Sequence, residues 1–321
     1  MASQLLPNNE PLDVTFRNYS SKQASDYVGG RLGYSNVLMD FILDHHRSTG
    51  GQNGALLDVG CGPGTATQKL APHFDTVYGA DPGESMITTA TELGGITRSG
   101  APIVYKLSSA EDIDKIDGIQ HGSIDMITAA TAAHWFEMPK FWKAAANLLK
   151  PGGTVAIWTV FRPSGLFSDK TQLQSIFDDF RNNVLAPYTT KSTHLTQNGY
   201  TDLVMPWDDP ATASLYDRQT FIRHELGGEG GYIPAKDNRK ADIAKNDETP
   251  ENQLKKLERL VGTLGSVNRW QEANPELVGT DEDCVNVLMN NVRKAVDEGE
   301  SIDMSDLTAK MAIALILVKR K

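Results

Sequence analysis

Apolar and polar positions follow two rhythms along this chain, and the change between them divides it. From residue 54 to residue 160, short apolar runs are separated by segments of helical period. The runs ALLDV (55–59), TVYGAD (76–81), IVYKL (103–107), IDMITAA (124–130) and TVAIWTV (154–160) predict strands; helices are expected over 65–73, 84–93, 110–116 and 139–149. Strands that stay apolar throughout and alternate with helices imply a parallel sheet covered on both faces. LKPGGT (149–154) supplies a helix stop before the fifth strand.

Upstream, NVLMDFILDHH puts Val37, Leu38, Phe41 and Ile42 on one helical face. His45 and His46 fall at the end of that helix, where they read as cations meeting the helix dipole rather than as metal ligands. The preceding segment gathers Phe16, Arg17, Tyr19, Tyr27, Arg31 and Tyr34 around Gly29-Gly30 and reads as a mobile flap. After residue 161 the pattern loosens. A helix is expected over 169–185, with Leu173, Ile176, Phe177 and Phe180 inward, then a loop-rich stretch and a sixth strand within 214–226. The glycine-spotted run 227–250 reads as an exposed insertion, helices follow at 251–270 and 281–297, and AKMAIALILVKRK closes the chain as a last strand. The expected fold is α/β: a doubly wound, mostly parallel seven-stranded sheet with a helical C-terminal cap. Its parts are a helical flap (1–50), an α/β core (51–160), a cap or substrate region carrying an inserted strand (161–306) and the final strand (307–321).

Composition narrows the chemistry. A net charge of −10 over 321 residues leaves no basic stripe for phosphate backbones, so neither a nucleic acid nor an anionic membrane is an expected partner. The two cysteines, Cys61 and Cys284, make no disulfide framework, and no ligand cluster suggests a metal. The start of the chain lacks the pattern of a signal peptide and no apolar run reaches spanning length, so a cytoplasmic, soluble protein with a small-molecule substrate is expected.

The turn Gly60-Cys61-Gly62-Pro63-Gly64 follows the first strand, at the edge of a doubly wound sheet where ligands bind. A dinucleotide would present a pyrophosphate there, and Asp58, two residues before the first glycine, would repel it. The G-x-G-x-G spacing also differs from the dinucleotide fingerprint, and the turn offers no lysine for a phosphate. Asp58 makes sense beside a ligand that carries a cation, as S-adenosylmethionine does in its ammonium and sulfonium. Asp81 ends the second strand, 21 residues after Gly60, suited to the two hydroxyls of a ribose. A turn glycine and a capping aspartate without any ligand would explain either element but not the pair.

Taken in order, LLDVGCGPGTAT, GADPGESMI, SSAEDI, DMITAATAAHWF and LLKPGGTVAIW resemble the motifs of class I S-adenosylmethionine-dependent methyltransferases, a Rossmann-like group. AHWF, GCGPGTAT and the long C-terminal half resemble its trans-aconitate methyltransferase branch, although Thr263-Leu264-Gly265 stands where that branch carries Thr-Trp-Ser. The resemblance implies that Asp58, Gly60, Cys61, Gly62 and Gly64 hold the methionine end. It implies Asp81 on the ribose, Pro82 and Met86 around the adenine, Ser109, Ala110 and Glu111 at the adenine edge, and Thr128 and Ala129 beside the transferable methyl. Met86 reads equally well as core packing.

A carboxylate acceptor would need cations to position it but no base; Arg17, Arg31, Arg162 and Arg269 are candidates, with Tyr19 and Trp135 as further contacts. A hydroxyl or nitrogen acceptor would need a base, and His134 stands four residues after the fourth strand, either as that base or as an orienting residue. The implied reaction is methyl esterification of a small polycarboxylic acid such as trans-aconitate. A methyltransferase of a larger, more apolar specialised metabolite and a catalytically silent cofactor-binding protein are the alternatives.

Overall fold

The computed structural model describes residues 34–161, 171–227, 249–302 and 312–321. Tyr19, Arg31, Arg162, the remainder of residues 1–33 of the expected flap and most of the expected insertion lie outside those residues.

Seven strands form one sheet: β1 (Ala55–Val59), β2 (Thr76–Asp81), β3 (Val104–Leu107), β4 (Ile124–Ala130), β5 (Leu149–Phe161), β6 (Tyr216–Gly227) and β7 (Ala312–Arg320). Their order is β3-β2-β1-β4-β5-β7-β6. The first five run parallel, while β7 enters antiparallel between β5 and β6. Chain direction reverses outward from β1 and β4, so their carboxyl ends open a crevice.

Alternation within each strand builds two cores. Leu57, Val59, Ile127, Ile157 and Ile316 face one side and pack on Phe141, Trp142 and Leu148 of helix α4 (Met138–Leu148). Leu56, Met126, Ala156, Trp158 and Leu317 face the other, under α1 (Asn36–Ser48) and α2 (Thr65–Leu70). A third helix, α3 (Glu84–Leu93), links β2 to β3. A separate apolar cluster joins α5 (Gln172–Asp179) to the helices Pro250–Gly262, Gly265–Ala273 and Cys284–Asp297, through Leu173, Phe177, Leu257, Trp270, Met289 and Val292. With α6 (Lys191–Gln197) and the short α7 (Pro210–Ala213) between them, these three are α8, α9 and α10.

Several boundaries differ from the periodicity. β5 begins at Leu149 rather than after the glycines, because a register break against β4 absorbs Pro151-Gly152-Gly153 (Ile124 faces Leu149, but Met126 faces Thr154). The helix expected over 251–270 is two: Thr263 caps α8, its hydroxyl donating to Leu260 O at 2.7 Å, and α9 restarts at Gly265. The expected helix 169–185 ends at Asp179 and widens into a π turn over Phe180–Val184. Among the described residues no helix is long and apolar enough to cross a membrane, and no cluster of His, Cys, Asp and Glu could hold a metal.

His46 is a correction. It is not a cation at a helix terminus: the side chain is fully buried, Nε2 donates to Gln52 O at 2.8 Å and Nδ1 meets the Thr154 hydroxyl at 2.7 Å. Burial holds its pKa below the ordinary histidine value. A depressed histidine pKa stabilises the fold above its unfolded value of about 6.5 and loses that contribution as pH falls below it. Urea unfolding should therefore show stability declining from pH 7 toward pH 5, with a shallower slope in His46→Gln.

Candidate functional site

The glycine turn exists because β1 must stop abruptly at the sheet edge and let α2 begin within a few residues. Gly60, Gly62 and Gly64 all adopt positive φ (63°, 53° and 86°), which side-chain-bearing residues rarely accept. Each glycine has its own packing. A Cβ on Gly60 would lie 2.5 Å from the Ala132 methyl, and one on Gly64 would lie 2.5 Å from the Tyr105 hydroxyl. One on Gly62 would meet nothing within 4 Å. Gly62 is the bare backbone of the turn.

Asp58 lies beneath the turn, not at its lip. Its side chain is fully buried; Oδ2 accepts from the Thr67 hydroxyl of α2 at 2.6 Å and Oδ1 from the Thr128 hydroxyl of β4 at 2.7 Å. Both partners are neutral, and the charged group acting on it is Asp81, a like charge. Burial, only partly offset by the two threonines, pushes its pKa up to about 6. Asp81 stands at the rim, where its oxygens accept from Gly62 N at 2.9 Å and Gly83 N at 2.8 Å. It thereby ties the glycine turn to the end of β2, with lone pairs left over for a ligand.

Above these groups opens a cavity of about 850 Å³. Of the expected cofactor contacts, Gly60, Cys61, Gly62, Asp81, Pro82, Met86, Ala110 and Glu111 line it. Asp58, Gly64, Ser109, Thr128 and Ala129 do not. Ser109 turns instead to Asp112, Oγ to Oδ2 at 3.2 Å, and β4 reaches the cavity through Ala130 and the residues after it. Cys61 is buried, and burial keeps its thiol protonated.

Thr131, His134, Trp135 and Phe136 also line the cavity, with Tyr34 beside Thr131. Thr131 is β-branched yet sits at φ 52°, a strained conformation held by its N–H donating to Trp158 O at 2.7 Å. Its hydroxyl lies 3.2 Å from that of Tyr34. His134 meets Trp135 at a tilt, ring centroids 4.7 Å apart and planes 49° from parallel, and its Nδ1 lies 2.7 Å from the Tyr200 hydroxyl. The far end is built from helices: Phe177 and Phe180 near α5, Leu257 and Val261 on α8, and Arg269 on α9. Arg269 Nε donates to Tyr188 O at 2.8 Å and Nη2 to the Thr193 hydroxyl at 3.0 Å, so the guanidinium is anchored in that wall.

Sequence reasoning brought His134, Trp135 and Arg269 to the cavity and missed Thr131, Tyr34 as a wall residue and Tyr200. Asn198-Gly199-Tyr200 carries a turn signal that marks the bend but not what the tyrosine reaches.

Residues 57–157 match the family model described as "Methyltransferase domain". A chain of Dictyostelium discoideum named as a methyltransferase is 32% identical over 149 residues, 46% of this chain and 51% of that one. A Saccharomyces cerevisiae protein, named as the probable S-adenosylmethionine-dependent methyltransferase CRG1, is 29% identical over 141 residues, 44% of this chain and 46% of its own. The chain thus spans about half the length of the curated relatives it matches. A solved structure from Anaeromyxobacter dehalogenans, described as a "Putative Type II Methyltransferase", superposes with a TM-score of 0.52 at 21% identity, covering 90% of this chain and 96% of that one. That likeness is one of fold: a Rossmann-like seven-stranded sheet with flanking helices.

Asp58 gives a stability test. A carboxyl whose folded pKa is raised stabilises the fold below its unfolded value and loses that contribution as pH rises through the folded one, here from about pH 4 to about pH 6. Above that window the ionised group costs about 3 kcal/mol, from roughly two pKa units. Asp58→Asn, whose amide can pair with both threonines, should be more stable than the unsubstituted protein in urea at pH 7.5, with the advantage vanishing near pH 4.

Proposed function

We propose that this chain is an S-adenosylmethionine-dependent methyltransferase acting on a small molecule. The observation that carries the reading is the buried Asp58 carboxylate, without a cation among its hydrogen-bond partners, directly under a bare glycine turn at the cavity wall. With Asp81 at the rim, that end of the cavity is anionic; it disfavours a pyrophosphate and suits a ligand bearing an ammonium and a sulfonium. The matched methyltransferase domain and the name of the Saccharomyces relative point the same way.

The residues present fit the cofactor. Gly62 offers bare backbone to the methionine end, and Asp58 acts on the ammonium through the turn rather than by contact. Asp81 accepts from the ribose, Pro82 and Met86 form the apolar slot for the adenine, and Ala110 and Glu111 lie at its edge. When bound, the cofactor supplies an electrophilic methyl group for in-line displacement. The chain contributes orientation and a water-poor chamber, with His134, Trp135 and Thr131 at the point where the two halves of the cavity meet.

The acceptor half is defined by Phe177, Phe180, Leu257 and Val261 together with Arg269. This wall mixes those apolar side chains with polar ones, Gln174, Asp178 and His194 among them; its apolar share supports a mid-sized acceptor with apolar surface, of the kind found in specialised metabolism. A small polycarboxylic acid such as trans-aconitate is the second reading; it is favoured by the presence of Arg181 and Arg269 on the wall.

Calorimetric titration should show S-adenosylmethionine binding, weakened about ten-fold in Asp58→Asn, the scale of one charge interaction. Gly62→Ala separates ligand from fold: positive φ costs it about 1 kcal/mol of stability, with no clash, while the added methyl occupies the ligand's approach. Its melting temperature should fall by only a few degrees and its cofactor affinity by more than ten-fold. Uptake of a nicotinamide dinucleotide in place of S-adenosylmethionine would overturn the assignment.

A further inference from the structure

Tyr200 is the most constrained aromatic residue near the cavity. It is 1% exposed and follows Gly199, and both residues adopt φ 61°. A tyrosine in the left-handed region costs on the order of 1 kcal/mol or more, and such strain persists only where surrounding structure fixes it. The fixings are visible. Tyr200 N donates to Leu195 O at 2.9 Å, and Arg223 Nη2 of β6 donates to Gly199 O at 2.7 Å. Gly199 itself lies so close to the Phe161 ring that a Cβ would approach it to 3.1 Å. The bend swings the phenol inward beneath the end of β4, where its hydroxyl meets His134 Nδ1 at 2.7 Å.

The direction of that hydrogen bond follows from what surrounds the oxygen. Burial drives the phenol pKa far up, so the group keeps its proton. Among the described residues His134 Nδ1 is the hydrogen-bond partner of that hydroxyl, so an imidazole donating from Nδ1 would leave the buried phenol's own hydrogen without an acceptor. A separation of 2.7 Å is also typical of an O–H donor and short for an N–H one. With the Nδ1 lone pair engaged, the neutral ring carries its own hydrogen on Nε2.

We propose that Tyr200 is a positioning residue that fixes His134 as the Nε2–H tautomer, so that His134 offers the methyl acceptor a hydrogen-bond donor rather than a base. Resting on the methyltransferase reading, this restricts the acceptor to a nucleophile that needs no proton removed before it attacks: a carboxylate, an acidic phenol or enol already ionised at working pH, or a neutral amine. For such an acceptor the step balances without a proton. The oxyanion's lone pair forms the new O–CH3 bond as the electrons of the S–CH3 bond return to sulfur, and the two opposite charges cancel. A neutral alcohol would have to lose a proton, and a ring whose one lone pair is held by Tyr200 does not take it. The tilted Trp135 ring packs against the imidazole while the phenol keeps its tautomer.

The tautomer can be read without any turnover. In full-length protein labelled with 15N-histidine, a long-range proton–nitrogen correlation spectrum, with His134 assigned by its loss in His134→Gln, should show an unprotonated Nδ1 and a protonated Nε2 in the neutral ring, at about pH 8. In Tyr200→Phe the same signals should move toward the average of the two tautomers. A protonated Nδ1 in the unsubstituted protein, or an unchanged pattern in Tyr200→Phe, overturns the proposal. Methyl-labelled S-adenosylmethionine incubated with the protein and a broad metabolite extract tests the acceptor class. The expected product is an ester, an ether of an acidic hydroxyl or a methylated amine; a label on an alcohol oxygen, or on a carbon that must first lose a proton, overturns the restriction. If no label is transferred, the methyltransferase reading fails instead, and the spectrum still decides the tautomer.

Discussion

A carboxylate is buried under the one turn that every other feature of the site leans on. Asp58 belongs to β1, accepts from α2 through Thr67 and from β4 through Thr128, and so fastens three elements at the switch point of the sheet. Two neutral hydroxyls do not compensate a full negative charge in a dry interior, which is why its pKa rises to about 6. A neutral side chain of the same shape would fasten the same elements without that penalty. Retention of the charge makes sense as a field: it acts through the thin glycine turn on whatever lies above, and Asp81 at the rim adds to it.

That arrangement explains why the turn is made of glycines with different reasons. Gly60 is empty because Ala132 must pack against it, and Gly64 because Tyr105 passes close by. Gly62 is empty toward the cavity. Asp81 grips the Gly62 N–H from the neighbouring strand, so the bare stretch of backbone is held rigid while its face stays open. A thin, rigid wall between a buried charge and a cavity is what lets electrostatics discriminate ligands without a direct ion pair.

The α/β core was legible because parallel strands must be apolar on both faces, and that requirement prints the runs 55–59, 76–81 and 124–130 plainly in the chain. The glycine turn and Asp81 were legible for the same reason, since they sit where the runs end. What periodicity does not carry is depth. Asp58 at the end of an apolar run reads as a lip residue, and only the approach of Thr67 and Thr128 from elements 9 and 70 residues away turns it into a floor. His46 failed likewise: its position fits a terminal cation, and its neutral state follows from Thr154, 108 residues distant. Helix breaks at Thr263 and Asp179 were missed because the apolar spacing runs on through them while hydrogen bonding changes. Tyr200 was out of reach because its role depends on a backbone bend folding it against a segment 66 residues earlier.

The two halves of the cavity place opposite demands on the segment between them. One half holds Asp81 beside the glycine turn, the other mixes apolar helix side chains with polar ones, and in the proposed transfer a methyl group would pass between them along a fixed line. Residues 131–136 form that boundary, and the structure spends strain there: Thr131 at positive φ beside the glycine turn, and Tyr200 at positive φ behind His134. Both strained residues hold hydrogen bonds that aim the boundary, Thr131 to β5 through its N–H and Tyr200 to the imidazole through its hydroxyl. Strain at two points flanking one short segment is hard to attribute to folding alone, since neither position is needed to close the sheet. It fits a segment whose geometry is fixed before any ligand arrives, so that, for the proposed methyl transfer, the chain would supply orientation rather than proton transfer.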